Sequence, residues 1–352
     1  MSCLSKDVYR LFGLNTALNN LKRVVLPVRF LFCSFLLFLP SVSYSSNLQY
    51  FSFDAPSMGT SYRLTVAAHS YEQAQALFVE SQSYLTKMEE VWSPWIEGSE
   101  VWRINHAGSE SIDLSRETFS LIEQSIRMSE LTQGAFDITF AAVGHLYNYR
   151  ESVRPSQARL DKTLEFISHE HLHLDSKNKR LRKQSNNIRI DLGGIAKGAA
   201  IEKLTQFLIS KGIRSAYLSL GGDSYLLGKK GEYSWMLGVK HPRESGKVIA
   251  RIPLEDVAVS TSGDYERFFM DEGERVHHIL SPVTGTSVSE VMSVTVIGEE
   301  AWKTDALSTS VFVMGSKKGL ALIETIPDYD VIIIDRSGAV IASSGLLNPN
   351  SD

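Results

Sequence analysis

The stretch Ile188-Arg-Ile-Asp-Leu-Gly-Gly-Ile-Ala-Lys-Gly198 decides how the chain is organised. Its first four residues alternate between apolar and polar side chains, which predicts a short strand. A glycine pair follows, and the apolar residues beyond it predict a helix that ends near Gly212. A strand end, two glycines and a helix start present free backbone N–H groups and a positive helix end, which suits a phosphate group. An ordinary turn would use the same glycines. The stretch matches neither the dinucleotide fingerprint nor the Walker loop.

The elements on either side come in mixed order. This predicts an α+β fold, with mixed or antiparallel sheets and packed helices, rather than a regular βαβ array. The further helices are predicted at about 71–88, after a Ser70 cap, at about 116–131, after a Ser115 cap, and at about 301–314, ended by Gly315. The further strands are predicted at 62–67, 171–174, 180–182, 215–220, 234–240, 257–260, 291–297, 329–335 and 339–342.

The composition is that of an ordinary globular protein. The chain has 352 residues, 43% hydrophobic and 22% charged, with a formal net charge of −4. A disordered chain would have fewer apolar residues and more net charge. A folded chain of this length buries roughly three quarters of its surface, so it needs no disulfide or structural metal. The mild acidity argues against a nucleic-acid partner, which would require a basic face.

The first 45 residues have the layout of a secretory signal. Basic residues precede the ten-residue apolar run Phe30–Leu39, and small polar residues follow it. Ten residues cannot span a hydrocarbon core, which takes roughly 20. We therefore expect residues 1–45 to be a signal peptide or an N-terminal signal anchor. Residues 46–352 would then form a single exported domain, in the periplasm or on the periplasmic face of the inner membrane.

This segment contains both cysteines, Cys3 and Cys33. Its removal takes away five basic residues and one acidic residue, so the formal charge falls from −4 to −8. The remaining domain would have no thiol chemistry and no cysteine metal site. The unusually long region before the apolar run leaves another interpretation open, in which translation starts near Val24 or Val25.

Two further segments combine glycines with polar side chains. Leu220-Gly-Gly-Asp223 is a second glycine pair at a strand end, and by itself it is typical of a turn. The segments 261–267 and 277–285 crowd hydroxyls, glycines and histidines between apolar runs, and a hairpin with polar turns would also explain them. The adjacent His277 and His278 would point to opposite sides of a strand, so at most one should face a site.

Two patterns suggest metal ligands. Asp305 and Thr309 are four residues apart on a predicted helix and share a face, where their oxygens suit Mg²⁺. The alternative is a capping Asp and a Thr bonded to its own helix. The alternating histidines of 169–173 invite a zinc interpretation. We expect an exposed edge strand there instead, because no completing ligands are evident.

Together these motifs resemble the FAD:protein FMN transferase (ApbE) family. No single motif is decisive, but their order along nearly the whole of residues 46–352 makes the resemblance specific. The matching segments are Pro56–Thr60, Glu100–Asn105, Gly134–Thr139, Asp191–Gly198, Leu220–Asp223, Ser260–Tyr265, His278–Gly285 and Thr304–Thr309.

The resemblance implies an exported enzyme with a T-fold-like duplicated core. Such enzymes use FAD and Mg²⁺, move FMN onto a threonine hydroxyl of an acceptor protein and release AMP. The implied acceptor is a flavoprotein subunit of a redox pump or an exported electron carrier, which suggests an association with the inner membrane. Alternatives are a Mg²⁺-dependent FAD pyrophosphatase, which yields FMN and AMP, and a non-enzymatic exported flavin-binding protein. A transporter's solute-binding protein would show two regular βαβ lobes, which the predicted elements lack.

The same resemblance assigns roles to individual residues. Asp305, Thr309 and the carbonyl of Gly194 would bind the metal. His278 would deprotonate the acceptor threonine, and Asp305 would share in catalysis. The FAD contacts would be Met58, Trp95, Ala135, Phe136, Asp137, Asp191, Lys197 and Ile279, with Trp95 stacked on the flavin. Ser281 stands where the family usually has Asp, which would alter the rate or the metal affinity if that Asp takes part.

Overall fold

An eight-stranded sheet runs through the part of the chain that the computed structural model describes, residues 48–347. The predicted signal, residues 1–45, lies outside the described residues. The strands are β1 Gln49–Ser57, β2 Thr60–Ala68, β3 Ile112–Asp113, β4 Leu172–Asp175, β5 Arg180–Lys183, β6 Ala216–Leu220, β7 Asp223–Leu227, β8 Trp235–Lys240, β9 Val248–Leu254, β10 Val257–Gly263, β11 Phe268–Asp271, β12 Glu274–His277, β13 Val291–Gly298, β14 Asp330–Asp335 and β15 Val340–Ala342. The α-helices are α1 Tyr71–Trp92, α2 Glu100–His106, α3 Arg116–Leu131, α4 Ala141–Gly144, α5 Gln157–Thr163, α6 Ala196–Ser210, α7 Ala301–Ile323 and α8 Ser344–Leu347.

The main sheet has the order β1-β2-β6-β7-β10-β13-β14-β15, and each strand is antiparallel to its neighbours. Smaller sheets are formed by β3-β5-β4, β8-β9 and β11-β12. The helices α1, α6 and α7 pack against the main sheet and enclose the principal apolar core. The predicted α+β class with antiparallel sheets and packed helices is therefore confirmed. Within residues 48–347, no helix has the length and apolarity needed to cross a membrane.

Helices α6 and α7 touch backbone to backbone at Gly198. A Cβ atom on Gly198 would lie 2.1 Å from the carbonyl oxygen of Ala301 and 2.7 Å from Cβ of Asp305. Only glycine allows this approach. The contact sets the first turn of α6 beside the first turns of α7, and so brings the predicted residues Lys197 and Asp305 together.

The hairpin of β1 and β2 turns at Met58 and Gly59. Both have positive φ, 47° and 71°, as a two-residue type I′ turn requires. The Met58 amide donates to Oε2 of Glu89 on α1 at 3.1 Å, which fastens the turn. The prediction missed β1, although Phe51, Phe53 and Ala55 alternate with polar residues and pack on the core.

The strand predicted at Ile188–Asp191 does not form. Side chains take the place of a neighbouring strand at Ile188 and Ile190, whereas the Asp191 amide donates to the Ile138 carbonyl at 2.9 Å. The Ile190 amide donates to Oδ1 of Asn105 at 2.7 Å, Nδ2 of Asn105 donates to the Ile190 carbonyl at 2.9 Å, and Nζ of Lys183 donates to the Ile188 carbonyl at 2.8 Å. Alternating polarity alone does not distinguish these partners from a strand ladder.

One other prediction needs correction. The edge strand expected over 169–173 begins only at Leu172, because His169–His171 form a 3₁₀ turn capped by Ser168. The helix predicted to end at Gly315 is broken there as expected, with the non-helical angles φ 78° and ψ 174°, and a second helical stretch of α7 runs on to Ile323. The predicted Ser70 and Ser115 caps are confirmed by their bonds to the amides of Gln73 and Thr118.

Candidate active site

A cleft of about 620 Å³ opens beside the starts of α6 and α7. All the residues that the sequence proposed for a site line this cleft, and their roles stay predictions. They are Met58, Trp95, Ala135, Phe136, Asp137, Asp191, Gly194, Lys197, His278, Ile279, Asp305 and Thr309. Phe136 and Ile279 are buried in its wall, whereas Trp95 is 79% exposed and offers its indole ring to a ligand.

Lys197 is held by two carboxylates. Its Nζ lies 2.7 Å from Oδ2 of Asp223 and 3.3 Å from Oδ1 of Asp305. Burial alone would lower the pKa of Lys197, but the two carboxylates outweigh this effect and hold the pKa above its ordinary value. The charge of Lys197 is therefore paired inside the protein, by two carboxylates that are themselves buried.

Asp305 is almost fully buried, and its carboxylate accepts hydrogen bonds inside the protein. The Gly198 amide donates to Oδ2 at 2.9 Å, and Lys197 completes the shell. Burial and the nearby Asp223 carboxylate raise the pKa of Asp305, although Lys197 acts in the opposite direction. Asp223 was quoted within a glycine motif but received no role, and only the tertiary structure reveals it as the third member of this network.

Most backbone amides at the start of α6 already donate hydrogen bonds to other groups of the protein. The Gly193 amide donates to Oδ1 of Asp191 at 2.7 Å, and the Ile195 and Ala196 amides both donate to the Leu192 carbonyl, at 3.0 and 2.8 Å. The turn therefore satisfies most of the donors that the sequence offered to a phosphate, and the helix end contributes mainly its dipole.

The three predicted metal ligands come together at this place. Thr309 follows Asp305 by one turn of α7, and a Cβ atom on Gly194 would lie 3.5 Å from Oγ1 of Thr309. Oγ of Ser262 lies 3.3 Å from the same hydroxyl. Residues 48–347 contain no cluster of three or more His, Cys, Asp or Glu residues that could cage a metal. This donor set still fits Mg²⁺, which is usually held by one or two carboxylates, waters and substrate phosphates.

His278 presents a free ring nitrogen to the cleft. Its backbone N and its Nδ1 lie 3.1 and 3.3 Å from the carbonyl oxygen of Arg267. Because a carbonyl can only accept, Nδ1 carries the proton and Nε2 has the lone pair. Burial lowers the pKa of His278 to about 4, helped by the charges of Arg267 and His277. The imidazole is therefore neutral at pH 7 and can accept a proton.

The neighbouring His277 faces the protein interior. Nε2 lies 2.7 Å from the Val288 carbonyl, and Nδ1 accepts from the Ile279 amide at 3.3 Å. The proton of His277 is therefore on Nε2, the opposite tautomer to that of His278. These two hydrogen bonds connect the two sides of the loop that carries His278. The prediction that at most one of the two histidines faces a site is confirmed.

The carboxylate of Asp137 accepts hydrogen bonds from neighbouring groups of the protein. Oδ1 accepts from the amide and the hydroxyl of Thr139, at 2.8 and 2.5 Å, and Oδ2 accepts from the His169 amide at 2.7 Å. Nδ1 of His169 lies 3.4 Å from the same Oδ2. His169 thus supports the turn behind Phe136.

Sequence reasoning missed other residues of the cleft, among them five with polar or charged side chains that bear on the site. These are His145, Tyr147, Tyr149, Arg189 and Arg267. The Tyr147 hydroxyl donates to the Gly285 carbonyl at 2.8 Å, and the Tyr149 hydroxyl donates to the His277 carbonyl at 3.3 Å, so both fasten this wall to the His278 loop. Arg189 belongs to the stretch 188–198 and Arg267 ends the segment 261–267. Their places in these motifs were the only indication in the sequence that they could belong to the site.

Comparison with known proteins places this fold and cleft in one family. The sequence model of the ApbE family matches residues 58–333. An FAD:protein FMN transferase of Vibrio cholerae is 30% identical over 301 residues, covering 82% of this chain and 89% of that protein. One of Treponema pallidum is 31% identical over 260 residues, covering 69% and 72%.

Solved structures agree with the sequence match. The crystal structure of the ApbE protein of Thermotoga maritima superposes with a TM-score of 0.80 at 35% identity, over 85% of this chain and 98% of that one. The flavin transferase ApbE of Vibrio cholerae gives a TM-score of 0.76 at 27% identity, over 85% and 99%. The chain belongs to the ApbE family.

Proposed function

We propose that this protein is an FAD:protein FMN transferase. It would move FMN from FAD to a threonine hydroxyl of an acceptor flavoprotein and release AMP. The observation that carries the proposal is the position of His278, which lines the same cleft as Asp305 and Thr309 and whose Nδ1 is bonded to the Arg267 carbonyl, so that Nε2 remains free. The names of the relatives support the class of reaction.

The reaction is a phosphoryl transfer. The threonine oxygen forms a bond to the phosphorus of the FMN half, the bond from that phosphorus to the bridging oxygen breaks, and AMP leaves with the electron pair. Nε2 of His278 takes the proton of the hydroxyl, as a general base within hydrogen-bond reach would. The carbonyl of Arg267 holds the imidazole in the tautomer that this step needs.

Magnesium is part of the proposal. Asp305, Thr309 and the Gly194 carbonyl would hold it, and when bound it neutralises charge on the phosphate oxygens. The buried network of Lys197, Asp223 and Asp305 keeps the carboxylate of Asp305 in place. Apolar side chains of the cleft would exclude water around the flavin, and the exposed ring of Trp95 would stack on it.

We also propose that the protein is exported. The support is the short apolar run Phe30–Leu39 between basic and small polar residues. The acceptor would be a flavoprotein subunit of a redox pump or an exported electron carrier, and the enzyme would work at the inner membrane. Fractionation of cells that express the full chain tests this location, and recovery of all the protein from the cytoplasm would contradict it.

The test of the reaction combines the full chain, FAD, Mg²⁺ and a candidate acceptor. Intact-mass spectrometry should show one FMN added to the acceptor, and peptide mapping should place it on threonine. Release of FMN and AMP at the same rate without acceptor would favour a pyrophosphatase. FAD binding with no turnover, unchanged in Asp305→Ala, would favour a flavin-binding protein.

A further inference from the structure

Two arginines line the cleft without a carboxylate partner. Within the described residues neither Arg189 nor Arg267 forms an ion pair, although Arg154 and Arg243 both do. Guanidinium groups bind phosphate oxygens well because they offer several N–H donors in a plane. The arginines are therefore cations that an anionic ligand can use.

Lys197 and two backbone amides at the start of α6 already have partners within the protein. Nζ of Lys197 forms ion pairs with both Asp223 and Asp305. The amides of Gly193 and Gly198 donate to the side chains of Asp191 and Asp305, at 2.7 and 2.9 Å. Besides the proposed magnesium, a side-chain cation for the phosphates of a dinucleotide therefore has to come from outside the start of α6.

The two arginines act at different places in the cleft. The carbonyl of Arg267 lies 3.1 Å from the backbone N of His278. Burial lowers the pKa of His278 and raises the pKa of Asp191, and the charge of the Arg267 guanidinium acts to lower both. The pKa values of His145 and Lys183 are instead lowered by burial and by the charge of Arg189. Arg267 is therefore the cleft arginine that adjoins the proposed base, because its carbonyl is also bonded to Nδ1 of His278 at 3.3 Å.

We propose that the guanidinium of Arg267 contacts the phosphate that is transferred, a role that the sequence pattern would have given to Lys197. The inference rests on the proposed transfer reaction. The bonds formed and broken are those given above, the proton goes to Nε2 of His278, and Arg267 is unchanged by the reaction. Its donors neutralise the phosphate oxygens as AMP departs, and such stabilisation is strongest in the transition state.

The first experiment measures transfer with the full chain and the variants Arg267→Gln, Arg267→Lys and Arg189→Gln. Arg189→Gln is the matched control, because it removes the same charge from another part of the cleft. We expect Arg267→Gln to lower kcat by about 100-fold or more, with partial recovery in Arg267→Lys and a much smaller loss in Arg189→Gln. The acid limb of the pH profile should also move to higher pH in Arg267→Gln, because His278 loses a neighbouring positive charge. Equal losses in the two Gln variants, or an unchanged kcat in Arg267→Gln, would overturn the proposal.

A second measurement does not depend on turnover. ADP carries a phosphate at the position that the FMN phosphate occupies in FAD, whereas AMP lacks it. In Arg267→Gln the affinity for ADP should fall about tenfold, as the loss of one charged hydrogen bond implies, and the affinity for AMP should stay the same. If ADP and AMP binding are both unchanged, Arg267 does not contact this phosphate. If the unaltered chain transfers no FMN but Arg267→Gln still weakens ADP alone, the proposed function fails while the phosphate contact stands.

Discussion

Nζ of Lys197 lies 2.7 Å from Oδ2 of Asp223. Lys197 belongs to the first turn of α6, and Asp223 follows the glycine pair at the end of β6. The ion pair therefore joins two glycine-containing motifs that are far apart in the sequence. It also fixes the position of Asp305, the third member of the network, before any ligand enters the cleft.

Asp223→Asn should destabilise the protein. The substitution removes a buried charge partner from the partly buried Lys197, and the loss should be about 1–3 kcal/mol in the free energy of unfolding. Urea denaturation measures it. Asp54→Asn, which breaks the exposed pair of Asp54 with Arg63, should stay within about 0.5 kcal/mol. A similar cost for the two variants would contradict the buried network.

His278 should give the activity and the stability a characteristic pH dependence. Because its pKa is lowered to about 4, kcat/KM should show no acid limb near pH 6.5 that is due to this residue. An unfolded chain takes up the proton near pH 6.5 and the folded chain only near pH 4, so the stability should fall as the pH drops through this window. His278→Ala should remove this contribution and lower transfer by about 10²–10⁴-fold, while FAD still binds. An acid limb at pH 6.5 that disappears in His278→Ala would show that the histidine is not held neutral.

Gly198→Ala should separate α6 from α7. The new methyl group would lie 2.1 Å from the Ala301 carbonyl oxygen, so the helices must move, at a cost of about 2–3 kcal/mol. Gly238→Ala is a suitable control, because its methyl group would meet only Val248, at an ordinary 3.5 Å. Thermal unfolding compares the two. Equal melting temperatures would mean that α6 and α7 do not require glycine at their contact.

Thr309→Val should weaken magnesium binding without disturbing the fold. Valine keeps the shape of threonine and removes the hydroxyl that lies 3.3 Å from Ser262. The Mg²⁺ concentration for half-maximal transfer should rise about tenfold, the effect of one lost charge-assisted interaction. Ser310→Ala removes a hydroxyl bonded to the Ala306 carbonyl of its own helix and should leave this concentration unchanged. Full transfer in the presence of EDTA would exclude the proposed metal requirement.

The order of the elements and the members of the cleft could be predicted from the sequence. Helix caps such as Ser70 and Ser115, and most of the strands, follow from local patterns that short-range physics imposes. The motif residues Met58, Phe136, Gly194, His278 and Asp305 all line one cleft, as the resemblance implied. The strand expected at Ile188–Asp191 failed for a physical reason, because side chains of Asn105 and Lys183 replace the neighbouring strand.

The sequence by itself determined the motif residues that line the cleft, and only the tertiary structure decided which charged residues join them and which of these charges are paired. Lys197 stands in a motif that suggests a phosphate contact, yet the approach of α6 to α7 at Gly198 and the turn after β6 place two carboxylates on it. Arg267 has no such signal, yet its guanidinium stays unpaired, because no carboxylate of the described residues comes within ion-pair distance. Electrostatic interactions depend on distances between elements far apart in the sequence, and only the packed fold defines those distances.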